Sequence, residues 1–302
     1  MSDGSEQFSA GPAEEITLAA RRRRGAFATA MYELYKAPLT AKFGLIMITA
    51  YVFVAIFAPL LAPFGESEVV GRQYEPWGDE FPLGTDQIGR DMLSRLIFAA
   101  RNSVSIAFIT TVIAFALGSV IGLLSAIVGG WLDQGLGRFV DILMAIPSLI
   151  FTLVLLTVFG TDLWTLILVI AIFDATRVYR LSRAVAINIV VMDFVEAARL
   201  QGEKLPWIMV REVLPNIVAP LAAEFGLRFS FVFLTIAALS FLGLGIQPPL
   251  ADWGSMVREN ATLINYGDIT PLLPAAAIAL LTVSVNFVVD WFLHKSSGLR
   301  DG

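Results

Sequence analysis

The sequence predicts an all-α integral membrane protein with six membrane-spanning helices, and three observations support this fold class. Of the 302 residues, 57% are hydrophobic and 16% are charged, whereas a soluble domain is about 45–50% apolar and about 25% charged. The apolar residues fall into runs of about 20, the length that a helix needs to cross the hydrocarbon core. Arg and Lys cluster between particular runs, as they do in cytoplasmic loops.

The predicted spans follow the apolar runs in order. They lie at about residues 41–62, 103–128, 139–159, 163–182, 217–243 and 271–292. Residues 1–40 are predicted to be a cytoplasmic segment, with disorder over residues 1–20 and no cleavable signal peptide. The four arginines at 21–24 precede the first span, and we interpret them as a cytoplasmic topology signal rather than a nucleic-acid patch.

Alternation from this cytoplasmic start predicts the loops. Residues 63–102 form an external loop, and residues 103–302 form the core domain with the last five spans. Within the core, residues 183–216 lie inside, residues 244–270 form a second external loop, and both termini are cytoplasmic. Six basic residues in or just before the inner loop support its placement: Arg177, Arg180, Arg183, Arg199, Lys204 and Arg211.

Composition excludes several classes of catalyst. There is no cysteine, and His294 is the single histidine, so disulfides and thiolate sites are excluded and a triad or His-based metal site is hard to build. An intramembrane hydrolase is therefore disfavoured. The sequence has no GxxxxGK[ST] run, so the chain does not itself bind ATP phosphates in a Walker loop. We expect no enzyme activity and no cofactor in this chain.

The inner loop carries the signals of a short helix. Asp193 and Glu196 have the spacing of a capping box, in which the first side chain accepts the second residue's N–H and the second side chain reaches back. Gly202 suits the left-handed position that follows a helix. Residues 194–201 are therefore predicted to form a short helix with a cap at each end.

A second short helix is predicted to begin near Pro206 and to end at Leu214-Pro215. Asn216 is then expected to cap the fifth span, with Pro220 near its first turn, where a missing N–H does least harm.

The first short helix is too short to be stable alone, so another surface must pack on it. Ala197 and Ala198 form a small face that would let that surface approach closely. The alternative is an amphipathic helix that lies on the surface of its own membrane.

These residues carry a resemblance. Glu196-Ala197-Ala198, then Gly202 three residues later, then Leu214-Pro215, resembles the EAA loop of the permease subunits of ABC importers. Glu212 stands where the family pattern has an apolar residue, and Val213 precedes Leu-Pro instead.

Two further stretches resemble the dipeptide, oligopeptide and nickel permeases, and the C-type subunit most of all. They are Pro82-Leu83-Gly84-Thr85-Asp86 with Gly89-Arg90-Asp91 and Leu93-Ser94-Arg95, and Ser240-Phe241-Leu242-Gly243-Leu244-Gly245 with Gln247-Pro248-Pro249 and Asp252-Trp253-Gly254. The resemblance covers about residues 38–300.

The resemblance implies a type I ABC importer permease fold in the bacterial cytoplasmic (inner) membrane. It implies that the chain forms half of a translocation pathway for di- or oligopeptides, or a related small solute. The implied partners are a B-type permease in a heterodimer, two ATP-binding subunits that hold ATP and Mg, an external substrate-binding protein, and membrane lipid, with no nucleic acid. The residues implied to couple to the ATPase are Asp193, Glu196, Ala197, Ala198, Arg199, Gly202, Lys204, Leu214 and Pro215.

Charges within the spans are expensive and often functional. Asp174 lies near the middle of the fourth predicted span, and Glu224 and Arg228 are four residues apart in the fifth, so the latter two can pair on one helix face. Our hypothesis is that these three residues face the pathway or the seam with the second permease; the alternative for Glu224 and Arg228 is a structural ion pair inside the bundle.

Two alternatives stay open at the inner loop. Arg199 and Lys204 either pair with acidic groups of the ATPase or are solvated surface residues. For the whole chain, the competing function is a secondary transporter or channel without an ATPase partner, and the capped inner helix is the feature that separates the two classes.

Overall fold

The computed structural model describes residues 35–296. The disorder expected for residues 1–20, the arginine block at 21–24 and the two chain ends lie outside these residues. The described helices are α1 Leu39–Leu61, α2 Met92–Val128, α3 Gly130–Met144, α4 Ser148–Phe159, α5 Leu163–Val190, α6 Asp193–Leu200, α7 Leu214–Phe241, α8 Trp253–Asn260 and α9 Leu272–Ser296. A helical turn (Leu205–Trp207) and a π-helical turn (Ile208–Val213) lead into α7, and a 3-10 helix (Ala261–Tyr266) follows α8.

The all-α prediction is confirmed for the described residues, where β pairing is limited to two isolated bridges. Four helical segments are long and apolar enough to cross a membrane: α1, α2, the segment Leu205–Phe241 that includes α7, and α9. The pair α3 and α4 makes a fifth candidate, although its two helices are bent by 87°. The 28-residue helix α5 is long enough, but it carries Asp174, Arg177, Arg180 and Arg183.

Three predicted span boundaries differ from the structure. The fourth span, expected at 163–182, continues as α5 to Val190, so the inner loop expected at 183–216 begins later. The second span, expected at 103–128, begins at Met92, because the Asp91 side chain accepts the N–H of Ser94 at 2.8 Å and caps the helix there. The external loop expected at 63–102 is shortened accordingly. The third span, expected at 139–159, is interrupted at Pro147, which is the N-cap of α4, because proline lacks an N–H and disfavours helix at the preceding residue.

Helices α2 and α5 pack with their backbones close together. A Cβ added at Gly118 would lie 2.6 Å from the carbonyl oxygen of Ala175, and one at Gly122 would lie 2.8 Å from that of Tyr179. Any larger residue would push the helices apart, as at other small-residue contacts in membranes. Helices α1 and α9 approach in the same way, since a Cβ at Gly44 would lie 2.5 Å from the carbonyl oxygen of Ser284.

The buried apolar residues form two cores. The larger one joins α2, α5, α7 and α9 to α8 around Trp253 and Phe233. The smaller one joins α6 and the turn before α7 to the ends of α2 and α5 around Val195 and Val213. Helix α6 is therefore held against the end of the bundle by its own core.

Candidate functional site

Helix α6 begins one residue earlier than expected. Asp193 is its first residue, Met192 is the N-cap, and no side chain caps the helix. The carbonyl oxygen of Met192 accepts the N–H groups of Val195 and Glu196 at 3.0 and 3.3 Å. The predicted capping box is therefore wrong, because Asp193 is already helical. Its carboxylate and that of Glu196 lie in the first turn, where negative charge stabilises a helix through its dipole.

The end of α6 agrees with the prediction. Gly202 has a φ of +81° in the left-handed region. Its N–H donates to the carbonyl of Arg199 at 3.0 Å, and the N–H of Glu203 donates to the carbonyl of Ala198 at 3.1 Å. This pair of bonds is a Schellman motif, which satisfies carbonyls that a helix end leaves without partners.

The two alanines of the EAA triplet do not share a face. Val195 and Ala198 are buried in the smaller core, whereas Ala197 and Glu196 are exposed. Adjacent helical residues point about 100° apart, so Ala198 packs against its own bundle and Ala197 points away from it. The expectation of one small face formed by both alanines is therefore wrong.

The exposed side of α6 is bordered by apolar side chains. Val191 is 76% exposed and Leu200 is 84% exposed, and Met192 and Phe194 are also exposed. Exposed apolar residues that are grouped in this way mark a contact surface for a protein or a membrane.

The two cations expected at the coupling segment lie in different environments. The guanidinium of Arg199 donates from Nη2 to the carbonyl oxygen of Ile127 at 3.0 Å, which fastens α6 to the last turn of α2. Lys204 is exposed and is the N-cap residue of the following helical turn, which has Pro206 in its first turn.

Leu214-Pro215 does not end a helix. The π-helical turn Ile208–Val213 runs directly into α7, whose first two residues are Leu214 and Pro215. Pro215 has no N–H to donate. It directly follows this wider turn, whose hydrogen bonds run between residues five apart, and the helix continues through it. Asn216 does not cap a new span. Its side chain donates to the carbonyl oxygen of Glu212 at 2.6 Å. Pro220 lies inside α7 rather than in its first turn.

The charge at Glu212 causes no burial problem. Glu212 is half-buried, and Val213 beside it is completely buried in the smaller core. Val213 therefore supplies the apolar contact one residue after the position at which the EAA pattern places it.

The three charges that the sequence analysis places within predicted spans lie together. In α7, Nε of Arg228 is 2.7 Å from Oε1 of Glu224, and Nη1 of Arg228 is 3.6 Å from Oδ1 of Asp174 on α5. Arg177, which the sequence analysis named only as a topology signal, completes this ion cluster. Its Nη1 lies 3.6 Å from the same Asp174 oxygen. Its spacing of three residues from Asp174 was the available signal.

One side of the ion cluster reaches the surface of the chain. The side chain of Arg177 is 36% exposed and that of Asp174 is 7% exposed, and Oδ2 of Asp174 has no hydrogen-bond partner in the described residues. Charged side chains at membrane depth face protein or water rather than lipid. This face of α5 and α7 is therefore suited to a protein contact or a water-filled passage.

A second ion network, called the Asp86 network, lies at the N-terminal end of α2. Nη1 of Arg95 lies 2.6 Å from Oδ2 of Asp86 and 2.8 Å from Oε2 of Glu259 on α8, and Arg90 contacts the same two acids. Glu259 was missed from the sequence because nothing in its local pattern indicates a partner so distant along the chain.

Burial and hydrogen bonding shift the pKa values of two aspartates near the N-terminal ends of α2 and α8 in opposite directions. Burial alone would raise the pKa of Asp86, but the N–H groups of Arg90 and Ile88 and the guanidinium of Arg95 outweigh it, and the pKa lies below its ordinary value. Burial raises the pKa of Asp252 above its ordinary value, although Ser255 donates its N–H to this carboxylate at 2.9 Å.

Comparison with known proteins identifies similar chains. The family described as the binding-protein-dependent transport system inner membrane component matches residues 118–296. A dipeptide transport system permease protein of Alkalihalophilus pseudofirmus is 34% identical over 85% of this chain and 83% of its own length. A di/tripeptide transport system permease protein of Pseudomonas aeruginosa is 36% identical over 85% of both chains. A glutathione transport system permease protein of Pectobacterium atrosepticum is 30% identical over 72% of this chain and 70% of its own length.

Proposed function

Because the chain belongs to the family of inner membrane components of binding-protein-dependent transport systems, we propose that it forms half of the pathway of an ATP-driven peptide importer. It is a multi-pass permease subunit of the inner membrane. The family membership argues against a secondary transporter or channel that acts without an ATPase. The names of the similar permeases, which specify dipeptides, di- and tripeptides and glutathione, support small peptides as the substrate class.

The proposed topology has six spans and two cytoplasmic termini. Helix α5 counts as a span in this proposal, because its ion cluster with α7 faces protein or water and lipid contacts its other sides. The bent pair α3 and α4 supplies a further span. Residues 1–40 then lie in the cytoplasm, 63–91 and 244–270 lie outside, and the coupling loop 193–216 lies inside.

The proposed partners are a second permease of B type, two ATP-binding subunits and an external substrate-binding protein. ATP and Mg would bind to the ATP-binding subunits. In the proposed assembly the exposed side of α6, with Asp193, Glu196 and Ala197, contacts one ATP-binding subunit, and Lys204 pairs with an acidic group there. Gly202, Leu214 and Pro215 shape the chain on either side of the turn that follows.

The observation that carries this proposal is the division of α6 into two sides. Val195 and Ala198 bind it to the bundle, while Glu196, Ala197 and Leu200 are exposed. A helix that is packed on one side and exposed on the other can receive a displacement from a partner and pass it to the bundle. Arg199 supports the first half of that role through its bond to α2.

The ion cluster of Asp174, Glu224 and Arg228 is proposed to border the translocation pathway. Its contacts of 3.6 Å to Asp174 are longer than hydrogen bonds. A buried ion pair stabilises a protein only when its geometry is excellent. The Arg228–Glu224 contact is shorter, at 2.7 Å, and suits a structural pair. The long contacts to the buried Asp174 contribute little to stability, so they favour a role for Asp174 in transport.

Site-directed cross-linking tests the coupling proposal. The chain has no native cysteine, so Ala197→Cys provides a unique thiol for a short cross-linker in the assembled transporter. We expect a product with an ATP-binding subunit whose yield changes when ATP is added. Glu80→Cys, in the exposed external segment, is the control and should give no such product. Peptide transport by the chain without any ATP-binding subunit would overturn the proposal.

A further inference from the structure

Two arginines lie about one helical turn apart on the exposed side of α5. Arg177 and Arg180 are separated by three residues, a spacing that makes their side chains neighbours on the helix surface. The side chain of Arg177 is 36% exposed, and Arg180 is exposed as well. Two like charges at this spacing destabilise a helix. The pair therefore becomes favourable when an anion lies beside it.

Most donors of the two guanidinium groups have no acceptor within residues 35–296. Each group carries five N–H donors. Arg177 lies 3.6 Å from a single carboxylate oxygen, Oδ1 of Asp174, which it shares with Arg228. Arg180 lies 3.6 Å from the Sδ of Met144 on α3, and a thioether is a weak acceptor. The remaining donors are available to a ligand on the exposed side.

The helices around this face carry one more positive charge than negative charges. Helices α3, α4, α5 and α7 contain four acidic and five basic residues. The acidic residues are Asp133, Asp141, Asp174 and Glu224, and the basic residues are Arg138, Arg177, Arg180, Arg183 and Arg228. Asp133 pairs with Arg183 and Glu224 pairs with Arg228. Arg180 has no carboxylate within 4 Å among the described residues, so the face can accept one further anion.

The depth of the two arginines excludes a purely lipid-facing position. Arg177 lies about 21 Å and Arg180 about 25 Å along α5 from Leu163, at about 1.5 Å per residue. In the proposed topology both therefore lie in the inner half of a hydrocarbon layer of roughly 30 Å. Charged side chains at this depth face protein or a water-filled cavity.

We propose that Arg177 and Arg180 bind the α-carboxylate of the transported peptide as it passes along this face of α5, an inference that rests on the proposed import function. A guanidinium presents parallel N–H groups that match the two oxygens of a carboxylate. Every peptide with a free C-terminus carries this group, whatever its side chains. The two arginines thus recognise a feature that peptides of different sequence share.

The acids of the ion cluster are less suited to bind the ammonium end of the peptide. Oδ1 of Asp174 is shared by two arginines, and Oε1 of Glu224 lies 2.7 Å from Nε of Arg228. Oδ2 of Asp174 has no partner, but it is buried. The accessible part of the face is therefore cationic, which selects the carboxylate end.

Uptake of a dipeptide and of its C-terminal amide tests this site. Proteoliposomes that contain the assembled transporter receive ATP, the binding protein and labelled dialanine or dialanine amide. Each variant is compared with the wild type for the same peptide, so any preference of the binding protein cancels. Arg177→Gln/Arg180→Gln should reduce dialanine uptake at least about tenfold, as expected for the loss of one charged hydrogen bond, and leave uptake of the amide unchanged. Arg211→Gln removes an exposed cation outside α5 and should leave the ratio of the two uptakes unchanged.

Restoring the charge after assembly gives a second measurement, which decides the question if the wild type does not take up the amide or the double variant does not assemble. The chain has no native cysteine, so Arg180→Cys provides its single thiol. Modification with an ethylammonium methanethiosulfonate should restore dialanine uptake, and modification with a neutral methanethiosulfonate of similar size should not. The wild type treated with each reagent is the control.

Three results would each overturn the inference. They are wild-type uptake of dialanine by the double variant, an equal loss of amide uptake, and restoration by the neutral reagent. Failure of the wild-type transporter to take up dialanine would instead overturn the proposed import function, so the two failures are distinguishable.

Discussion

Arg199 on α6 donates a hydrogen bond of 3.0 Å to the carbonyl oxygen of Ile127 in the last turn of α2. The last four carbonyls of a helix have no partner within it and carry the negative end of its dipole, so a cation there is doubly favourable. Arg199 thus makes its hydrogen bond within the chain. Lys204 is the better candidate to pair with an acidic group on another subunit.

Replacing Arg199 by Gln should loosen α6 from α2. A hydrogen bond from a charged donor contributes about 1.5–3 kcal/mol, so local opening of α6 should become at least about tenfold more frequent. Amide hydrogen exchange of residues 193–200 in the assembled transporter measures this. Lys204→Gln is the matched control and should leave the exchange unchanged, and equal protection of α6 in both variants would contradict the role assigned to Arg199.

The two alanines of α6 should respond differently to enlargement. Ala198→Leu places a larger side chain in the smaller core and should destabilise the chain by about 1–3 kcal/mol. Ala197→Leu adds volume on the exposed side, so it should leave the thermal unfolding midpoint unchanged and reduce recovery of the ATP-binding subunits on co-purification. Similar behaviour of the two variants in both measurements would show that the division of α6 into two sides is irrelevant to assembly.

Gly202→Ala isolates the backbone at the end of α6. A Cβ here meets nothing within 4 Å, so the effect comes from the φ of +81° alone, and a left-handed non-glycine residue costs about 1–2 kcal/mol. Gly135→Ala, inside α3 and also in open space, should instead stabilise by about 0.5–1 kcal/mol. Opposite shifts of the thermal midpoint are expected, and a stabilising Gly202→Ala would refute the left-handed turn.

Acid should weaken the Asp86 network, in which Asp86 and Glu259 pair with Arg90 and Arg95. Because the folded pKa of Asp86 is lowered, its stabilising contribution is complete above the unfolded pKa of about 3.9. That contribution is lost as the pH falls through the folded pKa. Asp86→Asn should destabilise by about 3–5 kcal/mol at pH 7, since it leaves Arg95 partly unpaired, and by much less in strong acid. Thermal midpoints across pH measure this.

Asp252→Asn is the control for that series, because the pKa of Asp252 is shifted in the opposite direction from that of Asp86. The folded pKa of Asp252 is raised, so its contribution is fully present below about pH 3.9 and is lost as the pH rises through the folded pKa. Removal of this charge should therefore not lower stability at pH 7. A loss as large as that of Asp86→Asn would contradict the assigned directions.

The ion cluster of α5 and α7 can be tested by removing a pair rather than one charge. Removal of one partner leaves a buried charge alone, whereas removal of both does not. Glu224→Gln/Arg228→Gln removes one charge of each sign and leaves Asp174 paired with Arg177 at 3.6 Å. This double variant should therefore assemble normally and reduce peptide transport in proteoliposomes at least about tenfold if the cluster borders the pathway. Thr235→Val on the same helix is the control. Wild-type transport by the normally assembled double variant would exclude the pathway role.

The features predicted well from sequence are those that one helix determines by itself. The apolar runs predict helices, Gly202 predicts the left-handed turn after α6, and the pair Glu224 and Arg228 follows from their spacing. The effects of two prolines could not be predicted in this way, since Pro147 was placed inside the third span and Pro215 at the end of a short helix. Pro147 lies at a break between helices, whereas Pro215 lies in the first turn of α7 after a π-helical turn. Both follow an apolar residue, and tertiary packing decides between the two results.

Contacts between distant segments could not be predicted from the sequence either, because they also depend on tertiary packing. Asp174 joins Arg228 across two helices, and Arg95 joins Glu259 across most of the chain. The local pattern around each residue is compatible with many partners. Arg199 was expected either to pair with the ATPase or to be a solvated surface residue, and only the position of the end of α2 shows that its guanidinium donates to the carbonyl of Ile127.

Helix α2 has 37 residues and no proline, so at about 1.5 Å per residue it is about 55 Å long, well beyond the roughly 30 Å of hydrocarbon. Arg95, near one end, is buried in the Asp86 network, and Ile127, near the other end, accepts a hydrogen bond from Arg199 of α6. In the proposed topology these two ends lie on opposite sides of the bilayer. A displacement of α6 would then reach the Asp86 network through one continuous helix.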